Sequence, residues 1–208
     1  MPSALSNSEA HDIVVRAWTA VHGREPTDDE ARYTQAIALL ETGYGRAGQF
    51  GRFLDDNGGY NWGALERRRN ADGTCPAGTL PGSDAGNSRC FYVFPDDVSA
   101  AKAFIKNLTV SFPARAANIL TAMNGGTPED VAEAMKNPPS VAYYEAPSAT
   151  YAKGIRNALA NLGAGVPGNS SSVGSKSLLL LAIVGGSAYA AYQYGLLDGA
   201  ISWIRRQV

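Results

Sequence analysis

The stretch AIALLETGYGRAG, residues 36–48, places a glutamate at the boundary between a helix and a glycine-rich loop. The apolar run at residues 36–40 has the pattern of a largely buried helix. Glu41 closes that run, and two glycines flanking Tyr44 then signal the end of the helix. A charge at this junction is either the solvated end of a helix or a carboxyl group at the edge of a cleft.

The chain around this stretch reads mostly as helices. Residues 8–22 repeat apolar side chains at helical spacing, and the segment from Thr27 to Glu30 is a capping box that begins the next helix. Residues 42–92 lack helical periodicity and are rich in Gly, Asn and Asp, which predicts short strands and loops. Further helices are predicted after the strand-like segment 91–94 and at residues 113–123, 128–136 and 147–162. We therefore expect a mainly α globular domain with a small irregular β lobe.

Two cysteines, Cys75 and Cys90, bracket a segment rich in Gly, Pro, Ser and Asp. A disulfide would close this loop and stabilise the fold by about 3 kcal/mol in the chain-entropy model. The alternative is two separate thiols in a reducing compartment. Because no histidine lies near either cysteine in the sequence, they do not form a zinc site. We expect a disulfide, no metal and no cofactor.

The end of the chain is apolar and uncharged. A helix over residues 177–197, SLLLLAIVGGSAYAAYQYGLL, would be about 30 Å long, which matches the thickness of a bilayer core. Its tyrosines cluster towards the far end, as interfacial aromatic residues do. The alternative is a buried core helix. We expect a transmembrane helix at 177–197, a flexible linker at 163–176 and a short basic tail at 198–208.

Charge bears on partners and on orientation. The net charge of -1 gives no electrostatic reason to expect nucleic acid. Lys176 precedes the apolar segment while Arg205 and Arg206 follow it, which favours a cytoplasmic C-terminus with the domain on the other side. The first residues lack the basic and apolar regions of a secretory signal.

Four segments occur in order along the chain: ETGYG at 41–45, GYNWGA at 59–64, FYVF at 91–94 and VAYYEAPSATYAKGIRNAL at 141–159. The series resembles the lysozyme-like peptidoglycan hydrolases of bacteria and phages, most of all the glucosaminidase and lytic-transglycosylase branches. The resemblance covers about residues 5–162. It implies an α+β lysozyme-like catalytic domain over residues 1–162 that cleaves β-1,4 glycosidic bonds of peptidoglycan.

The resemblance implies that Glu41 is the general acid and base. Cleavage of a glycosidic bond needs an acid held against the leaving oxygen, and apolar surroundings raise a carboxyl pKa towards neutrality. An inverting hydrolase also needs a second carboxylate, for which Asp55 and Asp56 are the candidates, although either is also a plausible turn residue. Enzymes resembling lytic transglycosylases need none, because the substrate's N-acetyl group assists.

Four residues of the first two segments are candidate substrate ligands. The rings of Tyr44, Tyr60 and Trp62 would stack on sugar faces. Asn61, by resemblance, holds the cleft lobe or contacts an N-acetyl group. Its alternative role is that of a turn residue that bonds local backbone.

Two further features have two interpretations each, and a third has one. Tyr143 and Tyr144 either place a hydroxyl near Glu41, as the resembling families imply, or pack in the core. The arginines at 67–69 are either a solvated stretch or a contact for anionic wall polymers. His11 and His22 are expected at the surface of the first helix.

Together, the resemblance and the apolar tail predict the partners. We expect peptidoglycan glycan strands and a lipid bilayer, with virion or membrane proteins as further partners. The catalytic domain would lie on the wall side of a membrane. One candidate for this membrane is the internal membrane of a phage virion. The alternatives are a membrane-anchored endolysin of host lysis and a non-catalytic wall-binding or structural membrane protein on a lysozyme-like scaffold.

Overall fold

The structure, a computed structural model, describes residues 5–44, 59–81 and 89–163 and is mainly helical. Within these ranges the helices are α1 (Asn7–His22), α2 (Asp28–Thr42), α3 (Asp97–Thr109), α4 (Pro113–Met123), α5 (Pro128–Lys136) and α6 (Ser148–Leu162). The strands are β1 (Glu66–Arg68), β2 (Thr79–Pro81) and β3 (Arg89–Tyr92). This architecture confirms the predicted mainly α domain with a small β lobe.

Capping residues fix where three helices begin. Ser6, Thr27 and Thr127 each accept a hydrogen bond from a backbone N–H in the first turn, and an acidic residue three positions later reciprocates. The capping box predicted at Thr27 is confirmed. Helix α2 ends at Gly43, whose φ of 57° lies in the left-handed region that glycine adopts without strain. Glu41 therefore lies in the last turn of α2.

The core lies between the helices. Helix α1 packs against α2 and α3, α2 packs against α6, and α5 packs against both α4 and α6. Fully buried side chains from five helices fill the centre: Trp18, Ile37, Phe104, Ile105, Leu108, Ile119 and Ile155. The packing of α6 against α2 brings the last described helix to the end of the helix that carries Glu41.

The three strands form an antiparallel sheet in the order β1-β3-β2. A β-bridge between Tyr60 and Phe94 continues the pairing towards the helices. A disulfide joins Cys75 to Cys90, which is fully buried on β3, and this confirms the predicted pairing. The sheet lobe is thus tied to the helical body at Tyr60 and braced internally by the disulfide.

Several predicted features fall outside the described residues. They are Asp55 and Asp56, the linker at 163–176 apart from its first residue, the apolar segment at 177–197 and the tail at 198–208. In the described ranges, no helix has both the length and the apolar character needed to cross a bilayer.

Candidate active site

Glu41 is a partly buried carboxyl group at the C-terminal end of α2. Burial raises its pKa to about 7, although the hydroxyl of Tyr151 donates a hydrogen bond to Oε1 and acts in the opposite direction. Among the described residues, no basic side chain forms an ion pair with Glu41. The carboxyl group therefore exchanges its proton near neutral pH.

A second glutamate on the same helix shows how strongly the surroundings matter. Glu30, in the first turn of α2, is fully buried and bonded through both oxygens to Arg24, with N···O distances of 2.7 Å. Burial alone would raise its pKa, but the hydrogen bonds from Arg24 and from the Thr27 backbone lower it to about 2. One helix thus carries a permanent carboxylate at its start and a protonatable carboxyl group at its end, because only the first has a cationic partner among the described residues.

Tyr151 is a site residue that the sequence reasoning missed. It is fully buried on α6, and its ring stacks on that of Tyr144 with centroids 3.9 Å apart and planes 5° from parallel. The Tyr144 hydroxyl donates to the carbonyl of Ala132 at 2.8 Å, which anchors the stack. Helical periodicity places Tyr151 on the apolar face of its helix and predicts a core residue. The available signal for a role in the site was its position in the fourth segment, where Tyr151 and Ala152 match the resembling families.

Thr42 connects the second segment to the glutamate. Thr42 directly follows Glu41 in the chain, and its hydroxyl donates to the carbonyl of Trp62 at 2.9 Å. The Trp62 indole is fully buried and its Nε1 donates to Oδ1 of Asp97 at 3.2 Å, at the start of α3. The first and second segments therefore meet at Thr42, next to Glu41, and the second segment also contacts the start of α3.

Burial distinguishes the three aromatic side chains expected to stack on sugars. Trp62 is fully buried and Tyr44 is 3% exposed, with their rings 5.4 Å apart. Burial raises the pKa of Tyr44 to about 12, and its hydroxyl lies 3.3 Å from Oδ1 of Asn7. Both rings belong to the hydrophobic core and present no open face to a ligand. Tyr60 is half-buried and packs against this core.

Asn61 holds the sheet lobe together. Its Nδ2 donates to the carbonyls of Leu65 at 2.9 Å and Tyr92 at 3.1 Å, and its Oδ1 accepts from the backbone N–H of Leu65 at 2.8 Å. These three bonds use both ends of the amide and join the second segment to β3. The fully buried side chain thus acts on protein backbone, as expected for a residue that holds the lobe.

Tyr143 contacts the second segment instead of Glu41. Its hydroxyl donates to the carbonyl of Gly63 at 2.9 Å, and its half-buried ring lies 5.5 Å from the guanidinium of Arg115. A Cβ on Gly63 would come within 2.2 Å of Phe104 and 2.9 Å of the Tyr143 hydroxyl. Thus the hydroxyl that contacts Glu41 comes from Tyr151, while Tyr143 and Tyr144 bond backbone carbonyls of other residues.

The second carboxylate stays a prediction, since Asp55 and Asp56 lie outside the described residues. The described acidic residue of the sheet lobe nearest in sequence to the second segment, Glu66, is ion-paired with Arg89 at 2.9 Å. No group of His, Cys, Asp and Glu side chains in the described ranges is arranged to hold a metal ion.

Comparison of the chain with protein-family models, curated proteins and solved structures gave no match. Any functional assignment consequently depends on the sequence motifs and on the geometry of the site around Glu41.

Proposed function

We propose that this protein degrades peptidoglycan by cleaving β-1,4 glycosidic bonds of the glycan strand on a lysozyme-like fold. The observation that carries the proposal is Glu41, a half-buried residue whose carboxyl pKa is about 7 and whose Oε1 accepts a hydrogen bond from Tyr151. Its support is the convergence of the four motif segments. Thr42 contacts Trp62, Asn61 contacts Tyr92, and Tyr151 contacts Glu41.

In the proposed reaction, protonated Glu41 gives its proton to the glycosidic oxygen as the C1–O bond breaks. The resulting carboxylate is stabilised by the hydrogen bond from Tyr151. Glu41 then accepts a proton as base. It takes this proton from the sugar's own 6-hydroxyl in a lytic transglycosylase, or from water in a glucosaminidase or muramidase. The proton inventory balances in both cases, and Glu41 returns to its protonated form.

The transglycosylase route needs no second carboxylate from the protein. The hydrolytic inverting route needs a second carboxylate, for which Asp55 and Asp56 are candidates. The substrate's N-acetyl group can replace such a carboxylate, and we favour this route slightly for that reason.

We further propose that residues 177–197 anchor the protein in a membrane with the domain on the wall side. The proposal depends on the sequence of that segment alone. A phage virion with an internal membrane would use such an enzyme to open the wall during infection. A lysis enzyme held at the host membrane is the alternative, and detection of the protein in purified virions separates the two.

The test is digestion of purified peptidoglycan by the wild type, by Glu41→Gln and by the control Glu25→Gln. Glu25 is exposed and lies before the N-terminus of α2, so its substitution removes the same charge away from the site. We expect clearing by the wild type and the control, and a loss of about 1,000-fold or more in Glu41→Gln, the scale of losing an essential proton-transfer group.

Clearing that persists unchanged in Glu41→Gln would refute the role of Glu41. A folded wild-type protein that binds peptidoglycan without cutting it would instead indicate the non-catalytic wall-binding module. Mass spectrometry of the products identifies the reaction: a 1,6-anhydro end marks the transglycosylase, and a reducing sugar marks the hydrolase and shows which bond was cut.

A further inference from the structure

The sheet lobe carries a concentration of positive charge that the proposed chemistry does not use. Three consecutive arginines, residues 67–69, occupy β1 and the position after it, and Arg89 lies on the neighbouring strand β3. Arg67 and Arg68 are exposed. Because the whole chain has a net charge of -1, this cluster is a local feature and not the consequence of a basic composition.

The pairing of β1 with β3 places two of these charges against each other. Arg68 is the direct cross-strand partner of Arg89. Like charges in directly opposite positions destabilise a sheet, by roughly 0.2–1 kcal/mol. Arg89 is neutralised by Glu66 at 2.9 Å and approached by Glu145 at 3.6 Å. Arg68 has no carboxylate partner among the described residues, so its charge stays available on that face.

Arg67 points to the opposite face of the strand, as the two-residue period of a strand requires. Its guanidinium lies 5.9 Å from the ring centroid of Tyr92 and has no ion-pair partner in the described ranges. The ring fixes the direction of the guanidinium without neutralising it, so its donors stay available for an anion. Strand β1 therefore offers an unpaired guanidinium on each face, and it is an edge strand of the sheet.

This strand directly follows the segment that meets Glu41. Leu65 precedes β1 and is held by Asn61 through both of its backbone polar groups. Trp62, five residues before Arg67, bonds Thr42 beside Glu41. Five residues of chain therefore separate the contact beside Glu41 from Arg67.

We propose that β1 and its flanking arginines bind a linear phosphodiester polymer attached to the cell wall and thereby dock the enzyme on its substrate. Guanidinium groups match phosphate oxygens in charge and geometry. The two unpaired arginines lie on opposite faces of an extended strand. A linear polymer with repeated negative charges can contact both, whereas a ligand with a single carboxylate can contact only one. The choice of a wall polymer rests on the proposed function, whereas the binding of phosphodiesters does not.

The experiment measures co-sedimentation of the full chain, in mild detergent, with purified walls. The Glu41→Gln background prevents digestion during the measurement. One wall sample keeps its phosphodiester-linked polymers and the other has been stripped of them with hydrofluoric acid, which leaves the peptide carboxylates of peptidoglycan in place. We expect affinity for the unstripped wall to be about tenfold higher or more, and to fall about 25-fold for a tenfold rise in salt if two phosphates are contacted.

The Arg67→Gln/Arg68→Gln double variant should bind both wall samples equally and lose this salt dependence. The matched control, Lys102→Gln/Lys106→Gln, removes two exposed charges from α3 and should bind as the parent does. Circular dichroism establishes that the sheet variant is folded. Arg67→Lys/Arg68→Lys keeps the charge and should recover most of the salt-dependent binding.

Equal binding of the parent to stripped and unstripped walls would overturn the proposal, as would unchanged binding by the double glutamine variant. Binding of a single-stranded oligonucleotide without binding of soluble poly(glycerol phosphate) would overturn it in favour of nucleic acid. Digestion of stripped walls by the wild type tests the proposed function separately, because these walls lack the phosphodiester polymer. The double variant, with Glu41 intact, should digest them as the wild type does. Wall binding without any digestion would remove the proposed function and leave the docking surface standing.

Discussion

The hydroxyl of Tyr151 donates a hydrogen bond to Oε1 of Glu41 and so joins α6 to the end of α2 across 110 residues of sequence. Burial of the carboxyl group and this hydrogen bond act in opposite directions on its proton affinity, and the pKa of about 7 is their balance. In the proposed reaction the same bond would stabilise the carboxylate that remains after Glu41 has given its proton away. Tyr151 is therefore proposed as a positioning residue whose removal changes the proton affinity of Glu41 and weakens its base form.

The Tyr151→Phe substitution is expected to raise the pKa of Glu41 above its present value of about 7. The phenyl ring keeps the stack on Tyr144 but no longer donates to the carboxylate. Since activity needs protonated Glu41 in the first step, the alkaline limb of the profile of kcat/KM against pH should move to higher pH. The maximal rate should fall, because the carboxylate loses its donor in the second step.

Tyr144→Phe is the matched control for this experiment. Tyr144 forms the other half of the same stack, but its hydroxyl bonds the carbonyl of Ala132. The control should cost stability on the order of 1 kcal/mol without moving the alkaline limb. An identical pH profile for wild type and Tyr151→Phe would show that the hydrogen bond does not tune Glu41.

Glu41 should make the protein less stable as pH rises through the interval between the two pKa values of its carboxyl group. The unfolded chain loses this proton near pH 4.5 and the folded chain near pH 7. Between these values the folded state binds more protons, so the free energy of unfolding falls as pH rises. The shift is worth at most about 3.5 kcal/mol above pH 7, at about 1.4 kcal/mol for each pKa unit.

Glu41→Gln should remove this dependence and stabilise the protein at pH 8 by up to that amount, with little difference at pH 4. The amide oxygen can still accept from Tyr151, so the substitution preserves the contact while removing the buried charge. Denaturant unfolding at several pH values measures the effect, with the exposed Glu25→Gln as control. The raised pKa would be contradicted if the difference in the free energy of unfolding between wild type and Glu41→Gln stayed constant from pH 4 to pH 8.

Local sequence signals were sufficient to predict much of the framework. The Thr27 capping box and Gly43 fix the two ends of α2, and both act through neighbouring backbone. The same signals predicted that Glu41 closes this helix, because a glycine-rich segment follows an apolar run. The disulfide was predictable because Cys75 and Cys90 are the only two cysteines of the chain and flank a segment without a core.

The partners of the site were less predictable because they depend on tertiary packing. An aromatic residue next to glycines suits a sugar platform and a core equally well, and only the burial of Trp62 and Tyr44 favours the core. Helical spacing likewise places Tyr151 on an inward face without showing which polar group its hydroxyl meets. The packing of α6 on α2 decides that contact, and it joins residues too distant in sequence for any local pattern.

Asn61→Asp should destabilise the sheet lobe although it changes a single side-chain group. The amide Nδ2 donates to the carbonyls of Leu65 and Tyr92, and a carboxylate would place a negative oxygen against both. We expect a loss of about 3 kcal/mol near neutral pH, since a donor is lost and a buried charge is left unpaired. The loss should be smaller at low pH, where a protonated Asp can donate once.

Asn70→Asp provides the comparison within the same lobe, because Asn70 is exposed and its side chain donates to the hydroxyl of Thr74. Its melting temperature should stay close to that of the wild type. If Asn61→Asp melts at the wild-type temperature at neutral pH, Asn61 does not hold the lobe.

Gly63→Ala should disrupt the contact between the second segment and the helical body. The added methyl group would lie 2.2 Å from Cδ2 of Phe104, which is fully buried, and 2.9 Å from the hydroxyl of Tyr143. Overpacking of this kind costs about 1–3 kcal/mol, measured by denaturant unfolding.

Gly163→Ala is the control, since its methyl group would meet only backbone oxygens at 3.5 Å or more among the described residues and its φ of -63° is helical. Equal stability of the two variants would mean that Phe104 and Tyr143 shift readily, and that the close approach of Gly63 does not set the position of the second segment.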